Sequence, residues 1–186
     1  MGVNSFLDLD LSEQRLGAIE ALGWTVPTPI QAEAIPPGLA GTDVVGIAQT
    51  GTGKTGAFMI PALERLRSGG GLQVLALCPT RELAQQVADD TASLAMGTNI
   101  RTAAIFGGVG YGPQIKALES GFEVIVATPG RFIDHAHSKR VDLSNVNCLV
   151  LDEADRMLDM GFRPQIEEVL REMPTKRQTM LFSATM

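Results

Sequence analysis

Apolar positions along this chain fall into two rhythms. Short, almost uninterrupted apolar runs alternate with longer stretches in which apolar residues recur at helical spacing. The first run is Val44–Ile47, and residues 54–68 after it have helical spacing. Residues 73–78, 100–106, 123–127, 146–151 and 178–182 read as five further strands. The pattern predicts helices over residues 80–96 and 113–119, from Thr128 to about His137, just after Asp155, and from about Arg163 to Glu172. Ahead of the first strand, residues 11–22 carry Leu11, Ile19 and Leu22 at helical spacing, closed by Gly23. Thr28 and Pro29 form the N-cap and first-turn pair of a second helix. Strands that are apolar along their whole length, separated by helices, suit a parallel sheet covered on both faces. The expected fold is α/β, a mostly parallel central sheet with helices on both sides.

That fold decides where chemistry can sit. In open parallel sheets, ligands bind beyond the carboxyl ends of the strands. Residues 48–55, 79–81, 107–108, 128–131, 152–155 and 183–185 all follow predicted strands. They should therefore converge on one edge.

The stretch Ala48-Gln49-Thr50-Gly51-Thr52-Gly53-Lys54-Thr55 has the form of a phosphate-binding P-loop, with Ala48 where the pattern usually has glycine. Gly51 and Gly53 allow a tight turn whose N–H groups point at an anion, and the helix that follows adds its positive dipole end. Lys54 would reach the β and γ phosphates, and the Thr55 hydroxyl would ligate Mg²⁺. Asp152 ends an apolar strand, as does the acid that holds Mg²⁺ opposite a P-loop, and it can act through a bound water. Glu153 is placed to orient or deprotonate the attacking water, and Asp155 to hydrogen-bond Ser183 or Thr185. Gln31, in the first turn of its helix, could pair its amide with adenine. The plainer alternatives are a glycine-rich turn, acids capping a helix and a solvated Gln. None of them explains why a P-loop and these acids share one edge.

A second group comprises Thr80, Arg81, Gly108, Thr128 and Arg131. Small hydroxyls, arginines and helix N-termini suit a sugar–phosphate backbone and offer little that reads base edges. The bulk numbers limit this reading. The chain has 186 residues, 45% hydrophobic and 19% charged, with net charge −6 and a pI near 4.9. That balance argues against a general polyanion binder but not against a local phosphate site. No apolar run is long enough to span a bilayer, and residues 1–10 lack the features of a signal peptide. Cys78 and Cys148 lie inside apolar runs, as small core residues in a reducing cytoplasm would. His135 and His137 have no obvious co-ligand, so no metal site is expected there.

Taken together, the motifs resemble the N-terminal RecA-like domain of a DEAD-box ATP-dependent RNA helicase. Residues 23–31 resemble the Q motif, with Phe6 as its preceding aromatic, and residues 48–55 resemble motif I. Residues 79–84 match motif Ia, Gly107-Gly108 the double-glycine turn, and Thr128-Pro129-Gly130-Arg131 motif Ib. Asp152-Glu153-Ala154-Asp155 spells the family name, and Ser183-Ala184-Thr185 matches motif III.

The resemblance implies roles. Phe6, the backbone near Val26 and Gln31 would hold adenine, while Gln49, Thr50, Gly51, Thr52, Gly53, Lys54 and Thr55 hold the phosphates of ATP. Lys54, Asp152 and Glu153 would be catalytic, with Mg at Thr55 and Asp152. Pro79, Thr80, Arg81, Gly107, Gly108, Thr128, Pro129, Gly130 and Arg131 would bind RNA, without reading its sequence, and the helix after Arg131 would bend one strand. Asp155, Ser183 and Thr185 would couple nucleotide state to RNA. Residues 1–186 would form one RecA-like domain, with the Q-motif segment at about 4–35. A second RecA-like domain of the full-length chain, absent here, would be its partner. Alone, the domain would be a monomer without membrane contact that binds adenine nucleotide, turns over negligibly and unwinds nothing. The alternatives are a self-sufficient ATPase or DNA-directed motor, and a non-catalytic nucleotide-sensing module that binds RNA or a partner.

Overall fold

The computed structural model describes residues 2–185. One sheet contains β1 (Val44–Ile47), β2 (Val74–Leu77), β3 (Thr102–Ile105), β4 (Val124–Ala127), β5 (Cys148–Leu151) and β6 (Gln178–Ser183). Its strand order is β1-β6-β5-β2-β4-β3, and every pairing is parallel. Parallel neighbours need crossovers, and helices supply them. After α1 (Glu13–Ala21) and α2 (Pro29–Leu39), which precede β1, the crossovers are α3 (Lys54–Glu64), α4 (Arg81–Leu94), α5 (Tyr111–Ser120), α6 (Pro129–His137) and the pair α7 (Ala154–Asp159) and α8 (Arg163–Glu172). The α/β fold with helices on both faces is as expected.

Side chains alternate between the two faces of each strand and so divide the core. Val74, Ala76, Val126, Val150 and Phe182 pack with Ala57 and Ile60 of α3 and with Ala84 and Val87 of α4. Leu75, Leu77, Ile125 and Leu149 pack with Phe132 of α6, Met157 of α7 and Val169 of α8. Gly46 is required on the first face, because a Cβ there would lie 2.4 Å from Cε1 of the fully buried Phe182. Cys78 and Cys148 are buried and free, as small core residues are. Among the described residues, no helix is long and apolar enough to cross a membrane.

The helix expected over 54–68 ends at Glu64. A residue just beyond the following turn explains this. The Oε1 of Gln73 accepts the Arg67 N–H (3.0 Å), and its Nε2 donates to the Arg67 carbonyl (2.7 Å). With both backbone groups of Arg67 satisfied, the chain leaves the helix and turns through Gly69 and Gly71, both at positive φ. The α5 helix starts at Tyr111, two residues earlier than the pattern predicts. Four predicted strands shorten at their ends while β6 runs one residue further, to Ser183, and Gln73 and Cys78 beside β2 still donate to the carbonyls of Glu123 and Ala127.

Two buried charges tie distant segments together. Arg15 pairs with Glu64 (3.0 Å) and donates to the Leu94 carbonyl. Glu123, 1% exposed, accepts the N–H groups of Gly69 (3.0 Å) and Arg101 (2.8 Å) and the Arg101 guanidinium (3.3 Å). Burial alone would raise its pKa, but these bonds outweigh it and hold the carboxyl below the ordinary glutamate value.

Candidate active site and nucleic-acid edge

The strand order splits the carboxyl edge into two halves. The ends of β1, β6 and β5 stand side by side and bring together residues 48–55, 183–185 and 152–155. The ends of β2, β4 and β3 do the same for residues 79–81, 128–131 and 107–108.

In the first half, the Ala48 N–H donates to the Ser183 carbonyl (3.0 Å), carrying the sheet ladder into the P-loop. The loop turns on Gly51 (φ 80°) and Gly53 (φ 86°), and Thr52 Oγ1 donates to the Gln49 carbonyl (2.6 Å). Gly53 caps α3 with no side-chain hydrogen bond, so no protein side chain takes the place an anion would occupy at that helix start. Lys54 follows, buried, with Nζ 3.8 Å from Asp152 Oδ1 and no hydrogen-bond partner. A buried ammonium without hydrogen bonds is costly unless a ligand completes it, and a phosphate oxygen fits that need. Burial pushes the Asp152 carboxyl up to about 6, with Lys54 pulling it down and Glu153 pushing it further up. Such a carboxylate, with half-buried Thr55 beside Lys54, suits a hard cation.

Glu153 is held in the left-handed region (φ 50°, ψ 50°), a conformation unusual for a side-chain-bearing residue. Its carboxylate accepts from Thr50 Oγ1 (3.4 Å) and from the Arg156 guanidinium (3.3 Å), so its position depends on the P-loop. Asp155 Oδ2 accepts the Thr185 N–H (3.1 Å) and hydroxyl (2.9 Å), and the Asp155 N–H donates to Ser183 Oγ (3.3 Å). Burial would raise the Asp155 pKa, yet these bonds and the Arg156 N–H bring it below the ordinary value.

Two of the adenine-side candidates, Gln31 and Phe6, already have partners within the chain. Gln31 is 2% exposed, and both ends of its amide are engaged. Its Oε1 accepts the Thr28 N–H (3.0 Å), and its Nε2 donates to the Gly53 carbonyl (3.1 Å). Phe6 is 4% exposed and stacks on Trp24 at 6.4 Å, with Trp24 lying over Gly56 of α3. Val26 is exposed. Gln31 therefore stands under the P-loop and Phe6 in the core, one shell behind the surface.

In the second half, Thr80 caps α4 by accepting the Leu83 N–H (3.2 Å), and exposed Arg81 lies beside the turn at Gly108 (φ 79°). Thr128 begins α6, its N–H donating to the Ile105 carbonyl (3.0 Å). Gly130 is half-exposed, whereas Pro79 and Pro129 are buried and shape the backbone from within. Arg131 donates to the Val109 carbonyl (2.9 Å) and to Gln114 Oε1 (3.2 Å), and its guanidinium lies 4.0 Å from the Tyr111 ring centroid. Tyr111 and Gln114 were not singled out in the sequence, because neither falls in a motif. His135 packs beneath Gln114, and His137 pairs with Glu168 (2.8 Å).

An ammonium left free beside a buried acid, on a loop turning through two left-handed glycines, is what recognition of a polyphosphate demands. The class is that of P-loop nucleotide-binding α/β domains. The chain matches the DEAD/DEAH box helicase family over residues 28–186 and belongs to it. It is 47% identical over 186 residues to DEAD-box ATP-dependent RNA helicase 30 of Arabidopsis thaliana. It is 52% identical over 188 residues to DEAD-box ATP-dependent RNA helicase 28 of Oryza sativa subsp. japonica. These alignments cover 97% and 98% of this chain, but only 32% and 23% of those relatives. The crystal structure of a DEAD box protein from the hyperthermophile Methanococcus jannaschii matches with a TM-score of 0.96 at 42% identity. That match covers 100% of this chain and 51% of the other.

Proposed function

We propose that this chain is the ATP-binding half of an ATP-dependent RNA helicase, coupling MgATP binding and hydrolysis to unwinding by strand bending. The observation that carries the reading is the buried, unpartnered Lys54 ammonium 3.8 Å from Asp152. Lys54 binds the β and γ phosphates, and Glu153, tied to Thr50, orients the attacking water and takes its proton. Magnesium, held by Thr55 and through water by Asp152, would neutralise charge on the phosphates. Gln31 selects adenine by exchanging its bond to the Gly53 carbonyl for bonds to the base, so base recognition and P-loop shape move together. Arg81, Gly108, Thr128 and Arg131 grip one RNA strand, α6 bends it, and Asp155 with Ser183 and Thr185 couples nucleotide state to RNA binding.

A second RecA-like domain of the full-length protein supplies the arginines that stabilise the transition state. Such an arginine is worth roughly 10³–10⁵ in rate in related NTPases. Alone, this cytoplasmic domain binds adenine nucleotide as a monomer but turns over negligibly and unwinds nothing. The test compares ATP with GTP binding, and phosphate release with and without RNA. ATP should be preferred, with no RNA-stimulated turnover by the 186-residue chain. Equal affinity for GTP would remove Gln31 as the adenine reader, and substantial turnover would contradict the need for a second domain.

A further inference from the structure

Beneath the second half of the edge lies a polar residue outside every motif. Gln114 of α5 is 7% exposed, and both ends of its amide are engaged. Its Nε2 donates to the carbonyl of Phe106 (2.8 Å), immediately before the Gly107-Gly108 turn. Its Oε1 accepts from Arg131 Nη1 (3.2 Å) and meets His135 Nε2 at 3.1 Å. His135 is fully buried, and its Nδ1 has no partner. Burial, then the charges of Arg140 and Arg131, lower its pKa against the opposing pull of Asp134. The imidazole is therefore neutral, and its Nε2–H tautomer is the one that can donate to an amide oxygen whose NH₂ end is set by the Phe106 carbonyl. Turning the amide over would set its NH₂ against the Arg131 guanidinium and its oxygen against a carbonyl, so one orientation is enforced.

That orientation fixes Arg131. Its Nη1 is taken by Val109 and Gln114, and its plane is held by Tyr111, whose hydroxyl donates to Asp134 (2.8 Å). The Nε and Nη2 donors are left for a phosphate. We propose that Gln114 is a positioning residue for RNA binding: it ties the double-glycine turn to Arg131 and sets the direction in which that guanidinium meets the strand. This inference rests on the reading of this edge as the RNA site.

Single-stranded RNA binding across a salt series tests it, using the unaltered chain, Gln114→Leu, Arg131→Gln and the double variant. MgADP affinity and stability to urea are measured in parallel. Arg131→Gln should lower the slope of log affinity against log salt by about 0.7, the share of one phosphate contact on a single strand. Gln114→Leu should weaken binding roughly fivefold, as partial loss of one charge-assisted contact would, and also lower the slope. The double variant should bind no more weakly than Arg131→Gln alone, and MgADP affinity should not change in Gln114→Leu. Tyr111→Leu, at an exposed site that leaves the core intact, should weaken RNA binding in the same way. Additive losses in the double variant, or an unaltered salt slope in both Gln114→Leu and Tyr111→Leu, would overturn the inference and leave the RNA reading standing. No RNA binding by the unaltered chain would overturn that reading and the inference with it.

Discussion

Lys54→Met separates the two tasks that the buried ammonium could serve. The substitution keeps an apolar stem of similar length and removes the charge. In the unliganded chain the loss is one ion pair at 3.8 Å that carries no hydrogen bond. For a buried pair, attraction and desolvation nearly cancel. The remaining danger is an uncompensated Asp152, but burial already pushes that carboxyl up to about 6, with Lys54 the larger of two influences that lower it, the other being the Glu153 N–H. Without Lys54 it rises further and takes a proton. Neutralising a group with a pKa one unit below the working pH costs about 1.4 kcal/mol, and the rise reduces that cost. Stability should therefore change by no more than about 1.4 kcal/mol. Nucleotide binding should fare differently. Contacts to two phosphates at about 1.5–3 kcal/mol each give a loss of roughly 10²–10⁴ in affinity. Calorimetric titration with a non-hydrolysable MgATP analogue measures the second quantity. Urea unfolding followed by Trp24, the single tryptophan, measures the first. Affinity within tenfold of the unaltered chain, or a stability loss above about 3 kcal/mol, would refute the reasoning and make Lys54 a structural partner of Asp152.

Two further expectations concern the scaffold that holds the site. Glu123→Gln should cost about 1.5–3 kcal/mol at neutral pH, because three N–H donors lose their charged acceptor. The Glu123 pKa is lowered by folding, so its contribution is complete above the unfolded value and lost as pH falls through the folded one. Urea midpoints of the two chains should converge in acid, and a constant difference from neutral pH down to that range would count against the assignment. Gly46→Ala should cost about 1–3 kcal/mol by forcing a methyl into the buried Phe182 ring. Phe182→Leu should recover part of that loss, and independent, additive effects would show that the two sites do not press on each other.

Much of this was legible from the chain because two kinds of signal are local. Strands buried on both faces are apolar throughout, so β2, β4 and β5 announce themselves, and the rule of carboxyl ends then gathers six loops on one edge. Lys54 beside Asp152, and Asp155 on Thr185, follow from that rule together with the P-loop and acid motifs. What escaped depends on side-chain contacts that no motif or periodicity marks. Helix α3 stops at Glu64 because Gln73 captures Arg67, and no residue near Glu64 says so. Gln114 sits in an unremarkable short helix, and its importance comes from the carbonyl, guanidinium and imidazole that surround it. Nothing in the residues around Arg15 and Glu123 announces the partners that bury them. Gln31 was recognisable as the first-turn Gln, but not that its amide already bonds the P-loop backbone.

The central claim is that one metal-bound nucleotide lies between the P-loop and the acids after β5. Paramagnetic broadening by Mn²⁺·ADP tests it most directly, read on the backbone amides of the described residues. Signals of Lys54, Thr55, Asp152 and Glu153 should vanish together. Those of Gly71 and Asn145, beyond the amino ends of β2 and β5, should stay sharp. Broadening of the P-loop without that of Asp152 and Glu153, or strongest effects around Gly71, would contradict the account.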